Sequence, residues 1–419
     1  MRVLHLHRGD DVRWGGGVIA MTRLHQGLRR HGIDSRILCA VKSVPTPDTV
    51  AIPRWRIERG LRPIGRRLGL NDLHGLSALA IPRLPAFRQA DVVHIHSLHG
   101  GYFTYFALPA ITRAKPTVYT LHDMWPYTGH SASSYECGRW KTGCGHCPHL
   151  DAPPAVRRDA TRTEWRIKDA MYRRSRLWIV TLSESSTAQV RESMLGRFPV
   201  RRIPSGVDTA VYRPLDPAFC RRVFGIAPDR RVALAIATRL DPTHPEGWRK
   251  GADLLIGALA ALPAAGRHRT TLLLVGGHGQ GLRDRLDLEV VETGFLASDR
   301  LKAIAYSAAD VFLHPTRADI LPLVVQESLA CGTPVVSFGV GGVPDMVHPG
   351  LTGFLAEPGD VAAFREHAAR LLEDGDLARA LRPECRRLAE QEYALDLEVR
   401  RHVELYHEIL GKEQLRAAA

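Results

Sequence analysis

The feature that most constrains this chain is an alternation that runs through it and then begins again. Short apolar runs rich in β-formers end in polar residues and give way to helical patterns. "RVLHL" near the N-terminus is the first. It enters the loop "HRGDDVRWGGG", then a helical pattern from Val18 to about His31 closed by Gly32, then a second run, "SRILCAV". Strand, helix and strand in that order make one unit of a parallel sheet. "DVVHIHS" (Asp91–Ser97), "PTVYTLHD" (Pro116–Asp123) and "LWIVTLSESS" (Leu177–Ser186) continue the pattern. The last runs into a helix that Ser185 or Ser186 could cap. Ligands of open α/β sheets collect beyond the carboxyl ends of the strands. His96, His122, Asp123, Ser183 and Glu184 fall there.

The stretch "RRIPSGVDTAVYRPLDP" (Arg201–Pro217) is rich in turn formers and reads as a linker. Beyond it come the strands "RVALAIATRL", "TTLLLVGGHG", which enters a Gly-rich loop, "ADVFLHPT" and "TPVVSFG", with the amphipathic helix "GADLLIGALAAL" after the first. A helical segment follows from about Glu390. With 419 residues the chain exceeds one domain of usual size. The expected class is α/β, with two doubly wound parallel-sheet domains facing a cleft. Residues 1–208 and 209–389 form them, and a terminal helix at about 390–419 packs back on the first.

No apolar run approaches the ~20 residues that span a bilayer. "MRVLHLHRGDD" lacks the apolar core of a secretory signal, so a cytoplasmic protein is expected. The seven cysteines are an odd number, and Cys39, Cys220, Cys331 and Cys385 are scattered, as ordinary thiols are. The formal charge of +13 favours an anionic partner: nucleic acid, acidic lipid or a phosphorylated small molecule.

The most informative segment is "HPTRADILPLVVQESLACGTPVV". Asp319 and Glu327 stand in D-x7-E spacing. Pro322 suits a helix start, and the free N–H groups at Leu323 and Val324 would then form an anion site. Glu327, one turn on, could accept from paired ribose hydroxyls, with Asp319 ahead of the helix. In "ATRLDPTHPEGWRKGADLL", Arg239 ends a strand and Lys250 opens the next helical stretch. A guanidinium fork and an ammonium point charge can converge there on one phosphate. "WGGGV" (Trp14–Val18) lets backbone approach a phosphate closely. It is not G-x-G-x-x-G, and no G-x-x-x-x-G-K-[ST] occurs, so dinucleotide and P-loop readings lose support.

Taken in order, the glycines at Gly15–Gly17, "TLHDMWPYTG", "IPSGVDTAVYRP", Arg239, Lys250, "DILPLVVQESLACGTPVV" and "GGVPDMVHPGLTGFLAEPGD" resemble the retaining glycosyltransferases of family 4. The resemblance covers nearly the whole chain and implies the GT-B fold. The cysteine segment is similar to a subgroup that builds bacterial exopolysaccharide and O-antigen chains. The resemblance implies a nucleoside-diphosphate sugar donor between the domains. Glu327 would hold the ribose, and Arg239 and Lys250 the diphosphate. Gly16, Gly17, Leu323 and Val324 would approach the donor through backbone, and Phe295 and Leu296 would frame the base. His122 would touch the transferred sugar, with Asp123 near the acceptor. Asp319 replaces the first Glu of the family's E-x7-E motif. The acceptor implied is a lipid-linked saccharide at the inner membrane face. No metal is needed for the chemistry, and nucleic acid is not an expected partner.

Two segments lie outside that set. "CGRWKTGCGHCPHL" places Cys137, Cys144 and Cys147 in C-x6-C-x2-C spacing, with Gly143 and Gly145 permitting a tight turn. A structural zinc is a candidate there, with His130, His146 or His149 as fourth ligand. Ser131 stands where the resembling subgroup carries a further cysteine. "IPRWRIERGLRPIGRRLGL" (Ile52–Leu70) sets six Arg among Ile, Trp and Leu, a composition that suits an anionic membrane surface. Competing functions are a nucleotide-sugar epimerase on the same architecture and, less well supported, a zinc-containing nucleic-acid-binding protein.

Overall fold

The apolar runs are strands of two fully parallel sheets. The structure is a computed structural model that describes residues 1–277 and 280–418. The chain divides into one unit of Met1–Ser205 with Asp396–Ala419, and a second of Gly206–Leu395. The strands of the first are β1 (Arg2–Gly9), β2 (Asp34–Val41), β3 (Thr49–Ala51), β4 (Val92–Ile95), β5 (Thr117–Thr120), β6 (Trp178–Thr181) and β7 (Val200–Arg202). They form a seven-stranded sheet in the order β3-β2-β1-β4-β5-β6-β7. The second unit carries β8 (Arg231–Arg239), β9 (Thr270–Gly277), β10 (Glu289–Gly294), β11 (Val311–His314), β12 (Val335–Phe338) and β13 (Gly353–Ala356). Their order is β10-β9-β8-β11-β12-β13. Each sheet reverses its winding direction once, between β1 and β4 and between β8 and β11. Those reversals open crevices at the carboxyl edges, the sites that parallel sheets offer to ligands.

Strands covered on both faces must be apolar on both. β4 and β5 are buried throughout, and β11 and β12 likewise. In the second unit Ala233, Leu255, Leu272, Val336 and Phe364 belong to one core cluster. Two details differ from expectation. Ser183, not Ser185 or Ser186, caps helix Glu184–Glu192, and its hydroxyl and that of Ser186 form a capping box. Arg201 and Arg202, read as linker, belong to β7. The end of the Gly-rich loop expected after β9, at His278 and Gly279, lies outside the described residues.

The first unit has an unusual core, because histidines occupy its central strands. His5 on β1 is the register partner of His94 on β4. Side chains alternate along a strand, so His94 and His96 share a face. His5, His94, His96 and His402 are buried. Helix Leu395–Ala418 contributes His402 and also Tyr406, whose hydroxyl pairs with His94 Nδ1 at 2.7 Å. Burial holds His5, His94 and His96 well below 6.5, and brings His25, His122 and His402 to about 4.

This makes the first unit acid-sensitive. Above pH 6.5 these rings are neutral folded or unfolded, and their full contribution is present. As pH falls from 6.5 toward 4, the unfolded chain binds protons that the folded chain refuses. Each ring with a folded value near 4 then costs on the order of 2 kcal/mol at pH 5. Hydrogen exchange, corrected for intrinsic rates, should show protection in β1, β4 and helix Leu395–Ala418 falling between pH 7.5 and 5.5. Protection in β8 and β11 should fall much less. Equal losses in both units would refute the assignment.

Candidate functional site

The second unit gathers ions at its switch point. β8 delivers Arg239 at its carboxyl end. The chain then makes the short helix Pro245–Arg249 and places Lys250 at its end. Gly251 follows with φ +73°, and a Cβ there would strike the Pro315 carbonyl oxygen at 1.8 Å. Only glycine lets the Lys250 segment sit against the loop that leaves β11. Gly341 (φ +54°) plays the same part on the other side, where a Cβ would strike the Asp319 carbonyl oxygen.

Between those close approaches stands Asp319. Its Oδ2 accepts from Lys250 Nζ at 2.8 Å and from Thr316 Oγ1 at 3.0 Å. Arg249 Nη1 lies 3.8 Å from Oδ1. His314 Nε2 is 3.3 Å from Oδ2 but not directed as a hydrogen bond. Burial alone would push the Asp319 carboxyl up. Lys250 and the other surrounding groups reverse that and hold it well below the usual carboxylate range. His314 stays neutral because burial outweighs the carboxylate beside it. Lys250, which the sequence suggests converges with Arg239 on a phosphate, is therefore already paired with Asp319.

Pro322 is the N-cap of helix Leu323–Ala330, one position earlier than its expected place inside the helix. The first helical bonds run from Val325 and Gln326 to the Pro322 carbonyl, so the N–H groups of Leu323 and Val324 have no acceptor within the helix, and both residues are half-buried. Glu327 is 2% exposed and accepts from Tyr306 Oη at 3.0 Å. Phe295, 54% exposed, and Leu296 follow the edge strand β10. Asp319, Lys250, Arg249, Thr316 and His314 thus form one cluster, and Glu327 forms a separate pair with Tyr306. Arg249, Thr316, His314 and Tyr306 went unread. The one legible signal among them was His314, a polar residue closing an apolar strand.

The first unit places its candidates beyond β1, β4 and β5. Gly15, with φ +113°, caps helix Gly16–Arg30, and Gly17 packs where a Cβ would lie 3.6 Å from the His122 ring. Nε2 of His122 pairs with His96 Nδ1 at 3.0 Å. Asp123 Oδ2 is 2.9 Å from His99 Nε2, and Oδ1 accepts from the Trp125 N–H at 3.0 Å. Burial would raise the Asp123 carboxyl, but His99 and that N–H hold it below its ordinary value. The same carboxylate raises His99 against the effect of burial.

Cys137, Cys144, Cys147, His130 and His149 line one cavity of about 30 Å³. Cys147 Sγ is 3.4 Å from His130 Nε2. Gly143 and Gly145 have positive φ, and so do Cys144 and His146. Burial pushes the Cys144 thiol up to about 11. These donors do not close around one point. Among the described residues, the group of three metal-capable donors within 4.8 Å of one another is His5, His94 and His96.

Helix Ile57–Leu68 has an exposed apolar stripe. Ile57, Ile64 and Leu68 are 60%, 56% and 44% exposed at helical spacing, with Trp55 just ahead. Arg56, Arg59, Arg62, Arg66 and Arg67 are exposed around it. The helix is anchored by Glu58, which accepts from Ser77 and pairs with Arg54 at 2.8 Å. No described helix is long and apolar enough to cross a membrane.

Residues 14–211 match a family model described as Glycosyltransferase Family 4, and residues 237–374 one described as Glycosyl transferases group 1. A D-inositol 3-phosphate glycosyltransferase of Acidothermus cellulolyticus is 35% identical over 198 residues, 44% of this chain and 42% of that one. The chain thus spans less than half the length of that curated relative. Among solved structures, sucrose-phosphate synthase of Thermosynechococcus elongatus superposes with TM-score 0.70 at 20% identity over the whole of both chains. Anabaena Alr3699/HepE in complex with UDP-glucose gives 0.68 at 18% identity, covering 97% of this chain and 100% of that one.

The Lys250–Asp319 pair should be measurable by denaturant unfolding. Lys250→Met alone should destabilise the second unit on the order of 2 kcal/mol, because it strands a largely buried carboxylate. Adding Asp319→Asn should recover most of that loss. Simple additivity would mean that the pair is not coupled.

Proposed function

We propose that this chain, a GT-B protein of the group 1, family-4-like glycosyltransferases, transfers a sugar from a nucleoside diphosphate to a hydroxyl of a saccharide acceptor, with retention at the anomeric carbon. The observation that carries the reading is the cluster of Lys250, Arg249 and Asp319 at the β8–β11 switch point, followed by the helix start at Leu323. Departure of a nucleoside diphosphate leaves charge on the β-phosphate. Arg239, Lys250 and the N–H groups of Leu323 and Val324 would take up that charge, each well-aimed donor contributing roughly 3–4 kcal/mol. The bond from the anomeric carbon to the phosphate oxygen breaks as the acceptor oxygen bonds on the same face. The acceptor proton passes to the departing phosphate.

The roles of the other residues follow their environments. Glu327, oriented by Tyr306, would accept from the ribose. Gly16 and Gly17 would approach the donor through backbone, and Phe295 and Leu296 would frame the base. Asp319 would leave Lys250 partly free as phosphate arrives, and meet the sugar. His122, neutral at working pH, would hydrogen-bond the transferred sugar, and Asp123 would lie near the acceptor. UDP-glucose, bound in a solved protein of the same fold, makes a uridine donor the first to try.

The acceptor proposed is a lipid-linked saccharide of a bacterial surface polymer, reached at an anionic inner-membrane face by helix Ile57–Leu68. Its exposed Ile and Leu stripe between arginines supports that choice. The name of the A. cellulolyticus relative supports a second reading, a phosphorylated cyclitol acceptor. The reaction uses no resident metal. A zinc held by Cys137, Cys144 and Cys147 would be structural, and metal analysis of the purified protein tests for it.

Unfolding scans against a panel of nucleoside diphosphates should find one that stabilises by ~2.7 kcal/mol at 100 times its dissociation constant. Transfer assays with lipid-linked saccharide and phosphorylated cyclitol then separate the two acceptors. Arg239→Ala should lower turnover about 100-fold. If no nucleoside diphosphate binds, the donor assignment is wrong.

Attachment to the membrane is tested on vesicles containing acidic lipid. Arg62, Arg66 and Arg67 replaced by Ala should weaken binding on the order of 100-fold, at ~1 kcal/mol for each basic residue. Unchanged binding would return these arginines to a solvated face.

A further inference from the structure

The first unit holds a continuous chain of hydrogen bonds between imidazoles, and it ends on His122. His25 Nδ1 lies 2.8 Å from Ser35 Oγ, and Ser35 Oγ is 3.1 Å from His5 Nε2. His5 Nδ1 lies 2.9 Å from His96 Nε2, and His96 Nδ1 lies 3.0 Å from His122 Nε2. His5, His25, Ser35 and His96 are buried. The β1–β4 register and the two-residue period of the strands produce this line. A metal does not explain it. Both ring nitrogens of His5 and of His96 are engaged within the chain. Those of His94 are held by Tyr406 Oη and Thr120 Oγ1, both at 2.7 Å.

A neutral imidazole has one N–H and one lone pair. The groups packed about the line are His7, His25, His94, His402 and Tyr406, with Arg29 near His25 and Asp123 beside His122. None of those around His5 and His96 is a carboxylate that would stabilise a buried cation, so both rings are neutral. Their protons are then not independent. If His5 donates from Nδ1, His96 must accept at Nε2 and donate from Nδ1. His122 must then accept at Nε2 and carry its own proton on Nδ1. In the opposite sense all three rings carry the proton on Nε2, and His5 donates to Ser35. No mixed set fills both bonds.

We propose that His96 and His5 are positioning residues for His122, and that the three rings form one unit with a shared tautomer set at Ser35. This rests on the reading that His122 meets the transferred sugar. Nδ1 of His122 has no hydrogen-bond partner among the described residues. Its polarity, donor or acceptor, is therefore fixed from the interior of the sheet. A sugar hydroxyl arriving at Nδ1 would meet one polarity, where an isolated imidazole would offer either.

Long-range proton–nitrogen correlation spectra of the ¹⁵N-labelled full chain at pH 7.5 test the idea. His5, His96 and His122 should show the same tautomer. His96→Phe should turn His122 into a mixture and lower turnover about 100-fold through loss of orientation, with nucleoside diphosphate affinity unchanged. Should His96→Phe not fold, Ser35→Ala deletes one hydroxyl and should shift the tautomer of all three rings together. Mixed tautomers in the unaltered protein would overturn the proposal, as would His122 signals unmoved by His96→Phe. A changed tautomer with unchanged turnover would overturn the positioning role. A shared tautomer in a protein that transfers no sugar would sink the functional reading and leave the imidazole unit standing.

Discussion

The structure depends on how polar groups are satisfied at the carboxyl edges of two parallel sheets. A sheet covered on both faces must be apolar, yet its ligand edge must carry polar side chains into the same dry interior. Removing such groups from water costs several kcal/mol each unless partners replace the lost hydrogen bonds. The two units meet that demand in different ways. The first uses neutral imidazoles that bond to one another and to hydroxyls. The second uses ions of opposite sign, with Asp319 set among Lys250, Arg249 and Thr316.

The choice has electrical consequences. A line of neutral rings adds no net charge, so the part of the edge it forms is polar but uncharged, with the His99–Asp123 pair next to it. It can direct hydrogen bonds at a neutral group such as a sugar. The second edge pairs its ions, Lys250 with Asp319 and Arg249 with Glu246, and adds Arg239 at the end of β8 and a helix start whose free N–H groups suit an anion. The division of labour proposed for the two units is consistent with the way each buries its polar residues.

The sequence made the interior of both sheets legible and the rims much less so. β1, β2, β4, β5 and β6 were found, with β8, β9, β11 and β12 in the second unit. The four strands that went unread, β3, β7, β10 and β13, are the edge strands of the two sheets. Edge strands are covered on fewer sides, so they lack the continuous apolar run that marks a central parallel strand. Val200–Arg202 shows this well, with both arginines exposed and easily taken for linker. Site residues divide in a similar way. Asp319, Lys250, Glu327 and His122 were visible as residues at strand or helix ends. Their partners were not, because a contact across a sheet depends on register. Lys250 and Asp319 are 69 positions apart, and His5 and His96 are 91. The period-two pairs His5–His7 and His94–His96 are in plain view, but only the pairing of β1 with β4 sets His5 against His96.

In the second unit Asp319 sits 2.8 Å from Lys250, one of the cations proposed to take phosphate. An ammonium alone in a half-buried crevice would bear its desolvation cost with no ligand present. It would also draw any phosphate or sulfate that diffused in. A resident carboxylate at 2.8 Å offsets the first problem and weakens the second. A single phosphate must compete with Asp319 for Lys250. A diphosphate brings more charge and can engage Arg239 and the helix start at the same time. On the proposed function, the pairing would select for ligands of higher charge and would favour product release, because Asp319 can take Lys250 back. A site proposed to bind and release a nucleoside diphosphate in every turnover is better served by this compensated arrangement than by bare cations.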